Sequence, residues 1–318
     1  MQRARIIYSL FLFIFLAHAR RGDSQTSTAI AQGAPPYNLR VSVDEVVVTF
    51  HAVDVHGLPI NDLRVDELRL LDNGRPPRKI ITLQSLQDYP IHAGILMDTS
   101  RSMEGHLSGD RAISIEYVQR LLRQQTDQAF IMDFGYITKL TQPWTGDPVA
   151  LTASIHRVVA GKANPLGGTA LFDAIFRACF NEFGKVDHAS GGNFILLFSD
   201  GEDNASHTSL KDSVDICQHS NTAIYAFRAE PNLGASTGPG TLAELTTQTG
   251  GRVFYDDDPE AKIYENLRTI EADLRSQYRL VYNPADLRHD NSFHRIELHA
   301  SERVDNILIR SGYYDKAR

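Results

Sequence analysis

Between residues 90 and 277 short apolar runs alternate with segments of helical period, and this alternation restricts the fold more than any other feature of the chain. The runs at 93–97, 129–134, 194–198, 223–228 and 252–255 are brief and mostly apolar, as expected of strands covered on both faces. Between them lie helical segments at 109–124, 148–159, 170–183, 210–219, 242–248 and 259–277. In the first, Ile113, Val118, Leu121 and Leu122 form the apolar face; in the last, Ile263, Leu267, Ile270 and Leu274 recur at three- and four-residue spacing. Strand and helix in alternation predict an α/β fold: a doubly wound, mostly parallel central sheet with helices on both faces. Residues 137–140 read as an antiparallel hairpin partner to 129–134.

The flanks have a different texture. Residues 39–88 are rich in β-branched side chains, with a turn at His56-Gly57 and one possible helical turn at 65–68. Asp72-Asn73-Gly74 is a strong hairpin signal between ELRLL and RKIITLQSL. After the last helix, YRLVYNP, FHRIELHA and NILIRSGYY return to β character. Such runs cannot extend a parallel sheet without crossovers. The expectation is one small β-sandwich built from both ends of the chain, with the α/β domain inserted into it. The domain boundaries that follow are 38–90 and 278–318 for the β-sandwich and 91–277 for the insert.

The first apolar run stops at Asp98, and D-x-S-x-S follows: Asp98, Ser100 and Ser102 at alternate positions. After a strand end this spacing can turn three oxygen-bearing side chains toward one point. Carboxylate and hydroxyl are hard ligands, suited to Mg²⁺, Mn²⁺ or Ca²⁺ rather than zinc. The same residues also suit a capped turn. Two later stretches favour the metal: LGGTALFDAI, where a glycine pair delivers Thr169 into a helix, and NFILLFSDGEDN, a buried-strand run ending in Asp200-Gly201.

In that order the three motifs match the metal-ion-dependent adhesion site, and the chain resembles the von Willebrand factor type A (VWA) family over about residues 91–277. Its wording at GGTALFDAI and FSDGEDN is similar to the bacterial "VWFA-related" proteins of Acidobacteria. The resemblance implies a VWA/Rossmann-like fold and a divalent ion, Mg²⁺ first and Mn²⁺ or Ca²⁺ as alternatives, held by Asp98, Ser100, Ser102, Thr169 and Asp200. The hydroxyls would ligate the ion, with the aspartates direct or through water. A glutamate or aspartate carboxylate from a protein or peptide partner would complete the shell. The function so implied is adhesion-type protein binding; a structural or assembly role, with the site serving folding or self-association, is the alternative. No general base stands beside a nucleophile at a motif position, and no glycine-flanked elbow surrounds a serine, so no enzyme is expected.

Other features support plainer readings. Glu202 and Asp203 read as a solvated loop, and Asp256-Asp257-Asp258 as an exposed turn capping the last helix. Asp133 is open between touching the site and bonding to backbone at a strand end. Trp144 reads as packing, and the twelve histidines show no zinc spacing. Cys179 and Cys217 fall on two helices of the same sheet face; a disulfide and a pair of buried thiols are both open.

Residues 1–19 read as a signal peptide: two early arginines, the apolar core IIYSLFLFIFLA and Ala17-His18-Ala19 as a cleavage site. A second small-residue site, Ala29-Ile30-Ala31, lies farther on. The core is short of the roughly 20 residues of a membrane span. Secretion or periplasmic export is therefore expected, with an uncleaved membrane anchor as the alternative; after cleavage no stable span is expected. Residues 20–37 read as a flexible Ser/Thr/Gln/Pro-rich linker. A formal net charge of −7 with scattered basic residues gives no electrostatic case for nucleic acid.

Overall fold

In the computed structural model the structure describes residues 45–160, 167–186, 192–230 and 237–315. All of these lie in one compact unit that begins at Val43. The signal peptide and linker expected at 1–37 lie outside the described residues.

The elements follow the predicted order. Three strands come first, β1 (Val46–Val53), β2 (Leu68–Asp72) and β3 (Lys79–Ser85), followed by β4 (His92–Asp98) and α1 (Leu107–Glu116). Then come β5 (Gln128–Phe134), β6 (Thr138–Thr145), α2 (Pro148–Arg157), α3 (Leu171–Arg177), β7 (Asn193–Ser199), α4 (Leu210–His219) and β8 (Thr222–Arg228). The series ends with α5 (Gly238–Thr249), β9 (Val253–Tyr255), α6 (Glu260–Arg275), β10 (Tyr278–Asn283), β11 (Phe293–Ala300), β12 (Asn306–Ile309) and β13 (Gly312–Tyr314). Local signals fix several ends. Asp147 accepts from Val149 N at 2.9 Å ahead of α2, with Pro148 in its first turn; Ser209 and Asp212 cap α4 reciprocally; Gly250, at φ 86°, closes α5.

The central sheet has six strands in the order β6-β5-β4-β7-β8-β9, parallel except for β6. One face packs Ile95, Met97, Leu196 and Phe198 against Ile113 of α1, Leu151 and Ile155 of α2 and the α6 stripe Ile263, Leu267, Ile270 and Leu274. The other face packs Leu96, Ile195 and Leu197 against α3, α4 and α5. Successive strand residues serve opposite cores, which is why the runs show no polar alternation. Helices α1 and α3 each end in a widened π turn, Tyr117–Leu121 and Ala178–Glu182. Cys179 in the second is disulfide-bonded to Cys217 of α4, with Cα atoms 5.0 Å apart, so the two-thiol reading is discarded.

The outer strands form two antiparallel sheets, β12-β1-β10-β3 and β13-β11-β2. Residues from both, including Val48, Phe50, Leu70, Leu280, Tyr282 and Leu298, share one core. Each sheet mixes strands from the two ends of the chain. The hairpin expected at Asp72-Asn73-Gly74 needs correction. The tight turn is there, with Asp72 N donating to Arg75 O at 2.8 Å and Asn73 and Gly74 at positive φ. Yet β2 pairs with β11 and β3 with β10, in different sheets. Pro76 and Pro77 follow at once; lacking N–H groups, they end the ladder after a single bridge. NILIRSGYY likewise divides at Arg310 into β12 and β13 of separate sheets.

Candidate metal centre

The chain runs outward from β4 through β5 to β6, then crosses back to lay β7 on the other side of β4. Strand order therefore reverses between β4 and β7, and a doubly wound sheet opens a crevice beyond the carboxyl ends of such strands. Asp98 ends β4, and Asp200 directly follows β7.

Asp98 is fully buried. Its Oδ1 accepts from Ser100 N at 2.8 Å and its Oδ2 from Ser199 Oγ at 2.8 Å, while Ser199 Oγ accepts from Gly201 N at 3.0 Å. Ser100 Oγ and Ser102 Oγ stand 3.1 Å apart. Asp200 is also buried, its Oδ1 accepting from Glu202 N at 3.1 Å. Burial pushes the Asp98 carboxyl up to about 7; the Ser100 and Ser199 hydrogen bonds oppose the shift, and the Asp200 charge adds to it.

Thr169 lies in the loop that leads into α3. Gly167 and Gly168, at φ 67° and 105°, bend the chain there, a path other residues rarely take. Thr169 N donates to Asn204 Oδ1 at 2.8 Å, and its carbonyl accepts from the Asn204 and Ala205 amides at 3.1 Å each. Ala170 N donates to Gly135 O at 2.7 Å. A methyl group on Gly135 would stand 3.5 Å from Thr99 Oγ1, 3.8 Å from Gly168 O and 3.9 Å from Ser100 N, so the two loops meet there. The structure thus joins Asp98, Ser100 and Ser102 by direct contacts and sets Asp200 within electrostatic reach. Thr169 is buried in the adjoining loop.

Four sequence readings are corrected or refined here. Glu202 and Asp203 are not a merely solvated loop: Glu202 Oε1 accepts from Thr237 N and Gly238 N at 2.9 and 3.1 Å, and Asp203 Oδ2 from Phe172 N at 3.0 Å. They brace the site loop against the starts of α5 and α3. Asp256 is buried, with His106 Nδ1 2.8 Å from its Oδ2, and Asp258 accepts from Asn266 at 3.1 Å; Pro259, with no side-chain cap, starts α6. Asp133 accepts from the Thr141 hydroxyl of β6 rather than from backbone. Trp144 packs edge-on to Phe130 and Phe183.

Sequence reasoning gave no role to Ser199, Asn204 or Asp110. Asp110 of α1 is fully buried, and neither carboxylate oxygen has a hydrogen-bond partner among the described residues. Burial raises its carboxyl to about 8, with Asp256 and Asp98 adding to the shift. Helical period contained the signal, because Asp110 shares a stripe with Ile113, Ser114 and Tyr117. Among the described residues no group of three or more histidine, cysteine or acidic side chains could hold a metal. The candidate centre is a different donor set, two carboxylates with hydroxyls.

The domain is a mostly parallel six-stranded sheet between two helical layers, with these three motifs at its carboxyl edge. Similar solved structures include BatB of Bacteroides thetaiotaomicron, at 14% identity and TM-score 0.48, covering 57% of this chain and 97% of that one. The vWF domain of the type V pili tip protein Mfa5 from Porphyromonas gingivalis is similar at 10% identity and TM-score 0.47, covering 57% and 95%. Proximal thread matrix protein 1 from the mussel byssus, with a zinc-occupied MIDAS motif, is similar at 13% identity and TM-score 0.47, covering 64% and 49%. No protein-family profile and no curated protein matches the chain.

Proposed function

We propose that the chain is an exported, divalent-metal-dependent protein-binding module. The observation that carries the reading is the Asp98 carboxylate. It is buried at the end of a central strand, within electrostatic reach of the buried Asp200 carboxylate, and its oxygens accept from the Ser100 amide and the Ser199 hydroxyl. Such a set suits a hard cation: two anionic oxygens, with the Ser100, Ser102 and Thr169 hydroxyls as neutral donors. In this reading Asp98, Ser100, Ser102, Thr169 and Asp200 hold the ion, most fittingly Mg²⁺, with Mn²⁺ or Ca²⁺ as alternatives. When bound, the ion supplies positive charge and a coordination position that a partner glutamate or aspartate can fill. Ser199 and the Ser100 amide hold the Asp98 carboxylate in place, while Asn204 and Glu202 fix the loops carrying Thr169 and Asp200.

In this reading the role is binding rather than catalysis: the Ser199 hydroxyl, bonded to the Asp98 carboxylate, is fully buried. Export is supported by the signal-peptide reading of residues 1–19 and by the Cys179–Cys217 disulfide, a bond of oxidising compartments. Among the described residues no helix is long and apolar enough to cross a membrane.

Calorimetric titration and melting with Mg²⁺ and Mn²⁺ test the reading. Wild type should give binding heats and a raised melting temperature by mass action on the native state, and Asp98→Ala should give neither. Equal heats and equal shifts in both proteins would sink it. Burial of Asp98 also favours a second reading, in which the ion mainly supports folding. That reading gains if the melting shift depends on Asp98 but no exported protein is retained in a Mg²⁺-dependent way.

A further inference from the structure

The turn between β5 and β6 carries two large apolar side chains in water, Tyr136 at 44% and Ile137 at 74% exposure. The turn is fixed: Arg177 of α3 donates to Thr138 O at 3.1 Å. Phe176 on the same helix is half-buried and stacks at 5.7 Å on Phe180, which is 59% exposed. Contiguous exposed apolar surface on a folded domain marks a binding site more often than chance. Tyr136, Ile137, Ala170 and Phe176 line a cavity of about 240 Å³, with Asp173, Arg177, Thr138 and Thr208 around it. Asp173 is already engaged, accepting from the amides of His207 and Thr208. The cavity adjoins the candidate metal centre. Ala170 follows Thr169, and the Tyr136 ring lies 3.5 Å from where a methyl on Gly168 would stand.

We propose that Tyr136, Ile137 and Phe176 form an apolar subsite of the candidate metal centre, seating one large apolar side chain of an extended peptide that offers its carboxylate to the metal. This rests on the metal-dependent reading above. The cavity falls below the roughly 300–1,000 Å³ of small-molecule pockets, so it matches a single side chain rather than a cofactor. In an extended peptide, residues i and i+2 face the same way, about 6–7 Å apart. The simplest pattern of this kind is an acid with Leu, Ile or Phe two positions away, and the peptides below are built on it. The chain carries a net charge of −7, which opposes an acidic partner, so an apolar contact adds affinity that long-range electrostatics withhold.

The test uses biotinylated peptides of sequence Gly-Gly-Asp-Gly-X-Gly-Gly, with X as Leu, Phe, Ser or Lys, immobilised for interferometry in Mg²⁺ or in chelator. Wild type should bind the Leu and Phe peptides in Mg²⁺ about tenfold more tightly than the Ser peptide, the scale of burying one large apolar side chain. Ile137→Ser and Tyr136→Ser should lose that preference while keeping the Mg²⁺-dependent melting shift. Mg²⁺-dependent binding that is equal for Leu and Ser overturns the subsite and leaves the metal reading standing. So does a melting shift that depends on Asp98 with no peptide bound. If no peptide binds and Asp98→Ala shifts as wild type does, both fall. Concentration-dependent dimerisation abolished by Ile137→Ser, without peptide discrimination, assigns the patch to a second copy and also overturns the proposal.

Discussion

At the scale of single residues the unusual group is Asp110. A carboxyl without a hydrogen-bond partner among the described residues, fully buried and under the charges of Asp98 and Asp256, stays protonated until about pH 8 in the folded chain, because burial and like charges penalise its anion. In the unfolded chain it titrates near 3.8. The folded state thus holds the extra proton between those limits, and stability falls as pH rises through that window. In chelator, unfolding free energy should therefore decline from pH 5 to pH 8. Asp110→Asn, which cannot ionise, should remove part of the decline and raise stability at pH 8 relative to pH 5. Urea melts at the two pH values measure this; an unchanged slope in the variant would assign the decline elsewhere. Asp98 lies under the same penalty at about pH 7, but its two hydrogen bonds and its place at the strand end tie it to the candidate centre.

At the scale of elements, the site is two strand ends and the loops stapled between them. The Asn204 side chain holds the Thr169 loop, and Glu202 holds the Asp200 loop to α5. The layer beneath is tied by the Cys179–Cys217 disulfide, which closes a 38-residue separation between the widened end of α3 and α4. A cross-link over that length stabilises by restricting the unfolded chain, about 3–4 kcal/mol. Cys179→Ala/Cys217→Ala should lose roughly that amount in denaturant melts. Wild type in reductant should approach the variant; a difference well under 1 kcal/mol would show that the bond does not constrain the unfolded chain.

At the scale of the whole molecule, the outer sheets and the α/β layers meet through buried polar groups. Arg310, between β12 and β13, donates to Gln218 O and, at 2.8 Å, to Val47 O. His51 of β1 lies 3.4 Å from Asp273 of α6, which also takes Arg252 at 3.0 Å. Arg310→Met keeps much of the volume but strands those carbonyls, and should cost about 2–4 kcal/mol. A single cooperative melt with a lowered midpoint is the expected result. A biphasic melt would show that Arg310 couples two units able to unfold apart.

Alternation of apolar runs with helical stripes was enough to specify the layered α/β core, because the inner strands β4, β5, β7 and β8 are covered on both faces and each helix on one. Hard-ligand side chains at strand ends were legible for the same reason: Asp98 and Asp200 interrupt apolar runs where a strand must stop. The partners of the outer strands were not legible in detail. The Asn73-Gly74 turn looked like a hairpin until Pro76-Pro77 and distant β10 and β11 decided the pairing. Likewise, Asp203 and Glu202 look solvated in one dimension and become loop anchors only when the starts of α3 and α5 bring backbone amides to them. Local pattern records what a residue must bury or cap, whereas contacts far apart in sequence exist only once the sheet has set strand ends side by side.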